Sequence, residues 1–167
     1  MNELTELENE EYQEMGSYNH SYLQTRIAVL LSNDERFTPL VELSLDASQI
    51  DLSQFDIKAK EELKPDVCVY PKAKGVKERD IVKVSEMPLL AIEVVSPSQS
   101  IEEIVSKFDA YFALGVKSCW LVVPTIGSVA IFSARAKYKN FDAQHDDEVI
   151  DETIGVRLPI RKVFFDE

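Results

Sequence analysis

The chain has 167 residues, 45% hydrophobic and 29% charged, with a formal net charge of −12. That is enough apolar material for one compact core, and no apolar run approaches the roughly 20 residues of a membrane helix. Bulk charge argues against a protein that grips polyanions over its whole surface, because such affinity comes chiefly from Lys and Arg neutralising phosphates.

Residues 1–15 hold six acids and no base. Residues 1–16 therefore read as a peripheral acidic segment and 17–167 as the folded domain. The start MNELTELENEEYQEM lacks the basic and apolar regions of a signal peptide, so a cytoplasmic location with no membrane contact is expected. From Ser17, a candidate cap, Tyr18, Tyr22, Leu23, Ile27, Leu30 and Leu31 recur at helical spacing and predict an amphipathic helix of about four turns. Phe37 to Leu45 alternates and predicts a strand. Residues 46–62 are polar and read as a loop or hairpin tip. A second strand is expected from Leu63 to Tyr70, closed by Pro71.

A lysine-rich loop follows. Between Lys58 and Lys83 eight bases face five acids, a local excess of 8 − 5 = +3, which reads either as a solvated surface or as a modest phosphate-binding patch. After Pro88 the run Leu89-Leu90-Ala91-Ile92-Glu93-Val94-Val95 is apolar on both faces, the pattern of a central strand covered on both sides. Ser100 and Glu103 form a candidate capping box for a second helix, with Ile101, Ile104, Val105, Phe108, Tyr111 and Phe112 as its apolar stripe and Gly115 beyond its end. Ser118 to Val123 is a fourth strand, and Val129 to Ser133 turns back beside it. Asp142, Asp146, Asp147, Glu148, Asp151 and Glu152 read as a second solvated acidic segment, and the apolar tail from Ile154 to Phe165 should dock. A helix between the third and fourth strands permits a parallel crossover, while short links among the first three favour antiparallel pairing. The fold class is therefore α/β, with a mixed central β-sheet flanked by helices.

Cys68 and Cys119 lie in apolar stretches without metal-ligand spacing and read as reduced, partly buried thiols. Glu93 is the most informative residue. An ionised carboxylate in an apolar central strand costs several kcal/mol unless it is paired, protonated or metal-bound. Asp66, after Lys64-Pro65 at the head of the preceding strand, brings a second carboxylate near the same end. Taken alone, Pro-Asp is a common turn dipeptide and a strand Glu can pair with a lysine. Two carboxylates together also suit a hard divalent cation, Mg²⁺ or Mn²⁺.

Three segments in order carry a resemblance: Lys64-Pro65-Asp66-Val67-Cys68-Val69-Tyr70; Ala91-Ile92-Glu93-Val94-Val95-Ser96-Pro97-Ser98; and the stretch from Lys107 through Tyr111, Gly115, Val116 and Trp120 to Pro124. The chain resembles, from about Tyr18 to its end, the Uma-two family of restriction endonucleases in the PD-(D/E)XK nuclease superfamily. Its members typically read R-P-D, then E-V-l-S-P-S, then K-x-x-x-Y-x-x-x-G-V-x-e-Y-W-l-V-d-P. The resemblance implies a restriction endonuclease-like αβββαβ core, with Asp66 and Glu93 as catalytic metal ligands and the Val94 carbonyl completing the set. The lysine of the (D/E)-X-K triplet is replaced by Val95, and the resemblance implies that Lys107 on the following helix takes its role. His20 stands near the family's histidine on the first helix, and Ser96 and Gln99 are further candidates for the site. The expected activity is Mg²⁺- or Mn²⁺-dependent hydrolysis of phosphodiesters in nucleic acid, with DNA as the expected partner and a homodimer expected from the need to cut two strands. The missing triplet lysine and the acidic charge favour an alternative, a binding or structural protein that keeps the fold without catalysis. A hydrolase using Cys119 or Ser96 as nucleophile is a third reading. It lacks a paired histidine, since His145 lies in the acidic segment.

Overall fold

The computed structural model describes residues 16–59 and 61–167; the expected acidic segment, apart from Gly16, lies outside them. Helix α1 (Tyr18–Ser32) starts at Ser17, whose hydroxyl accepts from the His20 amide at 3.3 Å. It buries Leu23, Ile27 and Leu31. Tyr18, counted in the apolar stripe, is instead exposed and stacks on Tyr22.

The expected strand from Phe37 to Leu45 is broken. Strand β1 (Phe37–Val41) ends at Glu42, whose φ of 51° takes the chain out of extended conformation, and Leu45–Asp46 forms β2, which pairs antiparallel with β3 (Glu62–Leu63). The polar stretch between them is thus a hairpin tip containing a single 3₁₀ turn, Leu52–Phe55. The second expected strand also divides, because Lys64-Pro65-Asp66 separates β3 from β4 (Val67–Pro71). Proline has no amide hydrogen to offer a ladder and restricts the residue before it.

Strand β5 (Leu90–Val94) is buried at every position. It lies between β4, antiparallel with Val67 opposite Ile92, and β6 (Ser118–Val123), parallel with Glu93 opposite Leu121. The crossover between β5 and β6 is helix α2 (Ile101–Leu114), capped by the Ser100 hydroxyl and ended by Gly115 at φ 105°. The left-handed backbone there is what glycine permits at low cost. Strands β7 (Ser128–Ala134) and β8 (Lys137–Asp142) complete a six-stranded mixed sheet in the order β1-β4-β5-β6-β7-β8. β8 escapes sequence reading because it is an edge strand with largely exposed, polar residues and no apolar alternation.

The sheet has a core on each face. One gathers Leu23, Ile27 and Leu31 against Val67, Ile92, Val94, Trp120 and Val122; the other gathers Ile104, Phe108 and Tyr111 against Ala91, Cys119 and Leu121. The tail docks as expected, through β10 (Val156–Pro159) and α3 (Ile160–Phe164), which bury Val156, Leu158, Ile160 and Val163.

The second acidic segment is not merely solvated. It contains β9 (Glu148–Asp151), paired with β10, and Asp151 is 1% exposed. One oxygen of that carboxylate accepts from the Ser118 hydroxyl at 2.5 Å and from the Trp120 indole at 2.8 Å, and the other from the Thr153 amide at 3.0 Å. Three donors compensate its burial. Both cysteines are buried and free, and burial raises both thiols, Cys68 to about 12. No described helix is long and apolar enough to cross a membrane.

Candidate active site

Strand geometry delivers the two carboxylates to one place. Side chains alternate along β5, so Ala91, Glu93 and Val95 face α2 while Ile92 and Val94 face the α1 side. Asp66 stands immediately before β4, and its carboxylate Oδ2 accepts from the Val94 amide at 2.7 Å. That bond fixes Asp66 to the end of β5. Helix α1 secures the same residue twice more: His20 Nε2 meets Asp66 Oδ2 at 3.0 Å, and the Gln24 side-chain amide donates to the Asp66 carbonyl at 2.9 Å. The Glu42 amide donates to that carbonyl too, at 3.2 Å, so the break after β1 also serves the site.

Glu93 is 2% exposed and accepts from the Tyr111 hydroxyl at 2.8 Å through Oε1. Its carboxyl is pushed up to about 8, first by burial and then by the neighbouring Asp66 carboxylate, against the opposing pull of Lys107 and Tyr111. Asp66 raises His20 as well, here favouring the charged form: the imidazole is lifted above its ordinary value by its hydrogen bond to Asp66, against burial.

His20, Gln24, Asp66 and Glu93 line a cleft of about 580 Å³ together with Lys64, Ser96, Gln99 and Lys107. All the side chains proposed from sequence as site residues therefore share one cavity. Val94 joins them through its backbone, where its amide holds Asp66. Ser96 and Gln99 are also bonded to each other, the Ser96 amide to Gln99 Oε1 at 3.4 Å and the Gln99 amide to the Ser96 carbonyl at 3.1 Å. Lys107 is half-buried and its charge acts on Glu93. Among the described residues it makes no direct ion pair with either carboxylate. Val95 occupies the triplet's lysine position and packs into the core beside α2.

Two participants were missed from sequence. By periodicity Tyr111 belongs to the apolar stripe of α2, and Gln24 is a polar residue of α1 outside any motif. The spacing of Lys107 and Tyr111 was a usable signal, since residues four apart share a helix face. Gln24 lies one turn beyond His20 on the same face of α1, the equivalent signal there.

The donor set bears on a cation. No group of three His, Cys, Asp or Glu suited to a metal occurs among the described residues, so side chains of the cleft supply two carboxylates and no thiolate. Mg²⁺ and Mn²⁺ accept such sites, taking one or two carboxylates and completing the shell with other oxygens. A carboxylate buried beside a second acid, as Glu93 is beside Asp66, is an environment in which a divalent cation relieves repulsion. The residues fit the ion.

The chain matches over residues 3–161 the family Uma2, described as "Putative restriction endonuclease". No curated protein matches it. Among solved structures, a "putative nuclease belonging to DUF820" from Anabaena variabilis aligns with a TM-score of 0.65 at 17% identity, over 90% of this chain and 82% of that one. At that identity the likeness speaks for the fold alone, a mixed sheet flanked by helices. The family match takes in Asp66, Glu93 and Lys107 and nearly the whole chain, and this protein belongs to the Uma2 family.

Proposed function

We propose that the protein hydrolyses phosphodiester bonds of nucleic acid with Mg²⁺ or Mn²⁺ held by Asp66, Glu93 and the Val94 carbonyl. The observation that carries this reading is the burial of Glu93 beside Asp66 in an open cleft that also holds Lys107. When bound, the cation supplies an acidified water and polarises the scissile phosphate. Glu93 and Asp66 would hold the cation, and the Val94 amide, His20 and Gln24 keep Asp66 from turning away. Lys107 lines the cleft on the α2 side and neutralises charge that develops on the phosphoryl oxygens in the transition state. Lys64 and Lys107 also border a neighbouring groove with Lys83, alongside Glu61 and Glu62. Severing both strands of a duplex calls for two such clefts, hence a homodimer.

A second reading, a nucleic-acid-binding protein on the same fold without catalysis, is favoured by Val95 in the triplet position and by the lack of a direct ion pair from Lys107. Incubating plasmid, single-stranded DNA and RNA with the protein and Mg²⁺ or Mn²⁺ separates the two. Strand scission that EDTA stops and Asp66→Asn removes is the expected result. Binding without scission in any metal supports the second reading, and scission retained by Asp66→Asn overturns the first.

A further inference from the structure

We infer that Tyr111 is the positioning residue of the carboxylate pair: its hydroxyl holds one oxygen of Glu93 so that the other is presented to the cation. The inference rests on the metal-site reading above and adds a residue to it. Both partners are deep in the molecule, Tyr111 at 0% and Glu93 at 2% exposure, and they meet at 2.8 Å.

A buried phenol needs a partner for its O–H, and the other buried residues of α2, Ile104, Phe108 and Ala110, are apolar. Phenylalanine would fill the space without that requirement. Among the described residues, the hydroxyl's one hydrogen bond to a side chain goes to the acid in the middle of β5. Helix α2 therefore meets Glu93 with two groups one turn apart: Lys107 at the cleft and Tyr111 in the core.

The terminal torsion of a glutamate is broad and nearly two-fold, so an unrestrained carboxylate in a site turns readily between its oxygens. Donation to Oε1 stops that rotation and leaves Oε2 as the available ligand atom. Hydrogen bonds to ligating groups orient them in this way, and their loss typically weakens metal affinity roughly 10- to 100-fold.

The test is a Mn²⁺ titration of the full chain followed by electron paramagnetic resonance. It compares wild type, Tyr111→Phe and Phe108→Leu at a temperature where circular dichroism finds each folded. Phe108→Leu disturbs the same helix and core without touching a carboxylate. Expected is a roughly 10- to 100-fold weaker Mn²⁺ affinity and an altered bound-Mn²⁺ spectrum in Tyr111→Phe, with wild-type affinity and spectrum in Phe108→Leu. Unchanged binding in Tyr111→Phe overturns the role of Tyr111 and leaves the metal site standing. Equal losses in both variants assign the effect to core packing and overturn it too. Failure of the wild type to bind Mn²⁺ removes the metal site itself, and the positioning role with it.

Discussion

His20 on α1 and Asp66 at the head of β4 meet at 3.0 Å, and this contact ties the first helix of the domain to the acid that the site is built around. It should also make stability depend on pH. The imidazole is raised above 6.5 in the folded protein, so folding favours the protonated ring. That stabilisation is complete below the unfolded value and is lost as pH rises through the folded one. Replacing His20 by Asn should cost about 1 kcal/mol at pH 5.5 and much less at pH 9, measured by urea unfolding at both. An equal loss at both pH values would assign the contact to packing.

Glu93 predicts the opposite sign of a substitution. Its carboxyl titrates at about 8 in the folded protein against 4.5 ordinarily, so the folded state keeps a proton that the unfolded chain releases. Stability should fall as pH rises from 4.5 to 8. In metal-free buffer Glu93→Gln should therefore be more stable than wild type at pH 8, by an amount on the order of a few kcal/mol. The advantage should vanish at pH 4, where both states of the wild type are protonated. Thermal unfolding across that range reads the effect, and a destabilised Glu93→Gln at pH 8 would contradict it.

Lys107 separates binding from chemistry. It lines the cleft without pairing directly with either acid, so removing it should spare the ion while exposing the transition state. Lys107→Met is expected to keep or tighten Mn²⁺ binding and to lose on the order of 10²- to 10³-fold in scission rate, the scale of one electrostatic contact to a developing charge. A rate within a few-fold of wild type would remove Lys107 from the catalytic set.

Away from the cleft, Asp151 links β9 to β6 by accepting from Ser118 and Trp120. Asp151→Ala strands two buried donors, each worth roughly 1–3 kcal/mol. The predicted loss is on the order of 2–4 kcal/mol in urea unfolding, with Mn²⁺ affinity unchanged in the folded protein. Asp151 is a structural acid, and a change in metal binding would contradict that assignment.

What the sequence made legible follows from strong local signals. The all-apolar β5 run, the Ser17 and Ser100 caps and Gly115 each leave a pattern that tertiary context did not override, and they placed the central strand, both long helices and the crossover. The site acids were legible because a charge inside an apolar strand is itself anomalous. Three things were hidden. Glu42 breaks a convincing alternating stretch because its backbone turns left-handed, which no residue there announces. Asp151 sits in a run of acids and looks solvated, although its two side-chain donors lie more than 30 residues away on β6. Tyr111 serves two purposes, and periodicity registers only the apolar one.

Calorimetric titration of Mn²⁺ into metal-free wild-type protein and into Glu93→Gln, at pH 8 and physiological salt, tests the central claim most directly. Asp66 and Glu93 acting together as the metal site predict saturable binding by the wild type and its loss in the variant, with Mg²⁺ competing for the same site. Equal binding by both proteins, or none by the wild type, would contradict it.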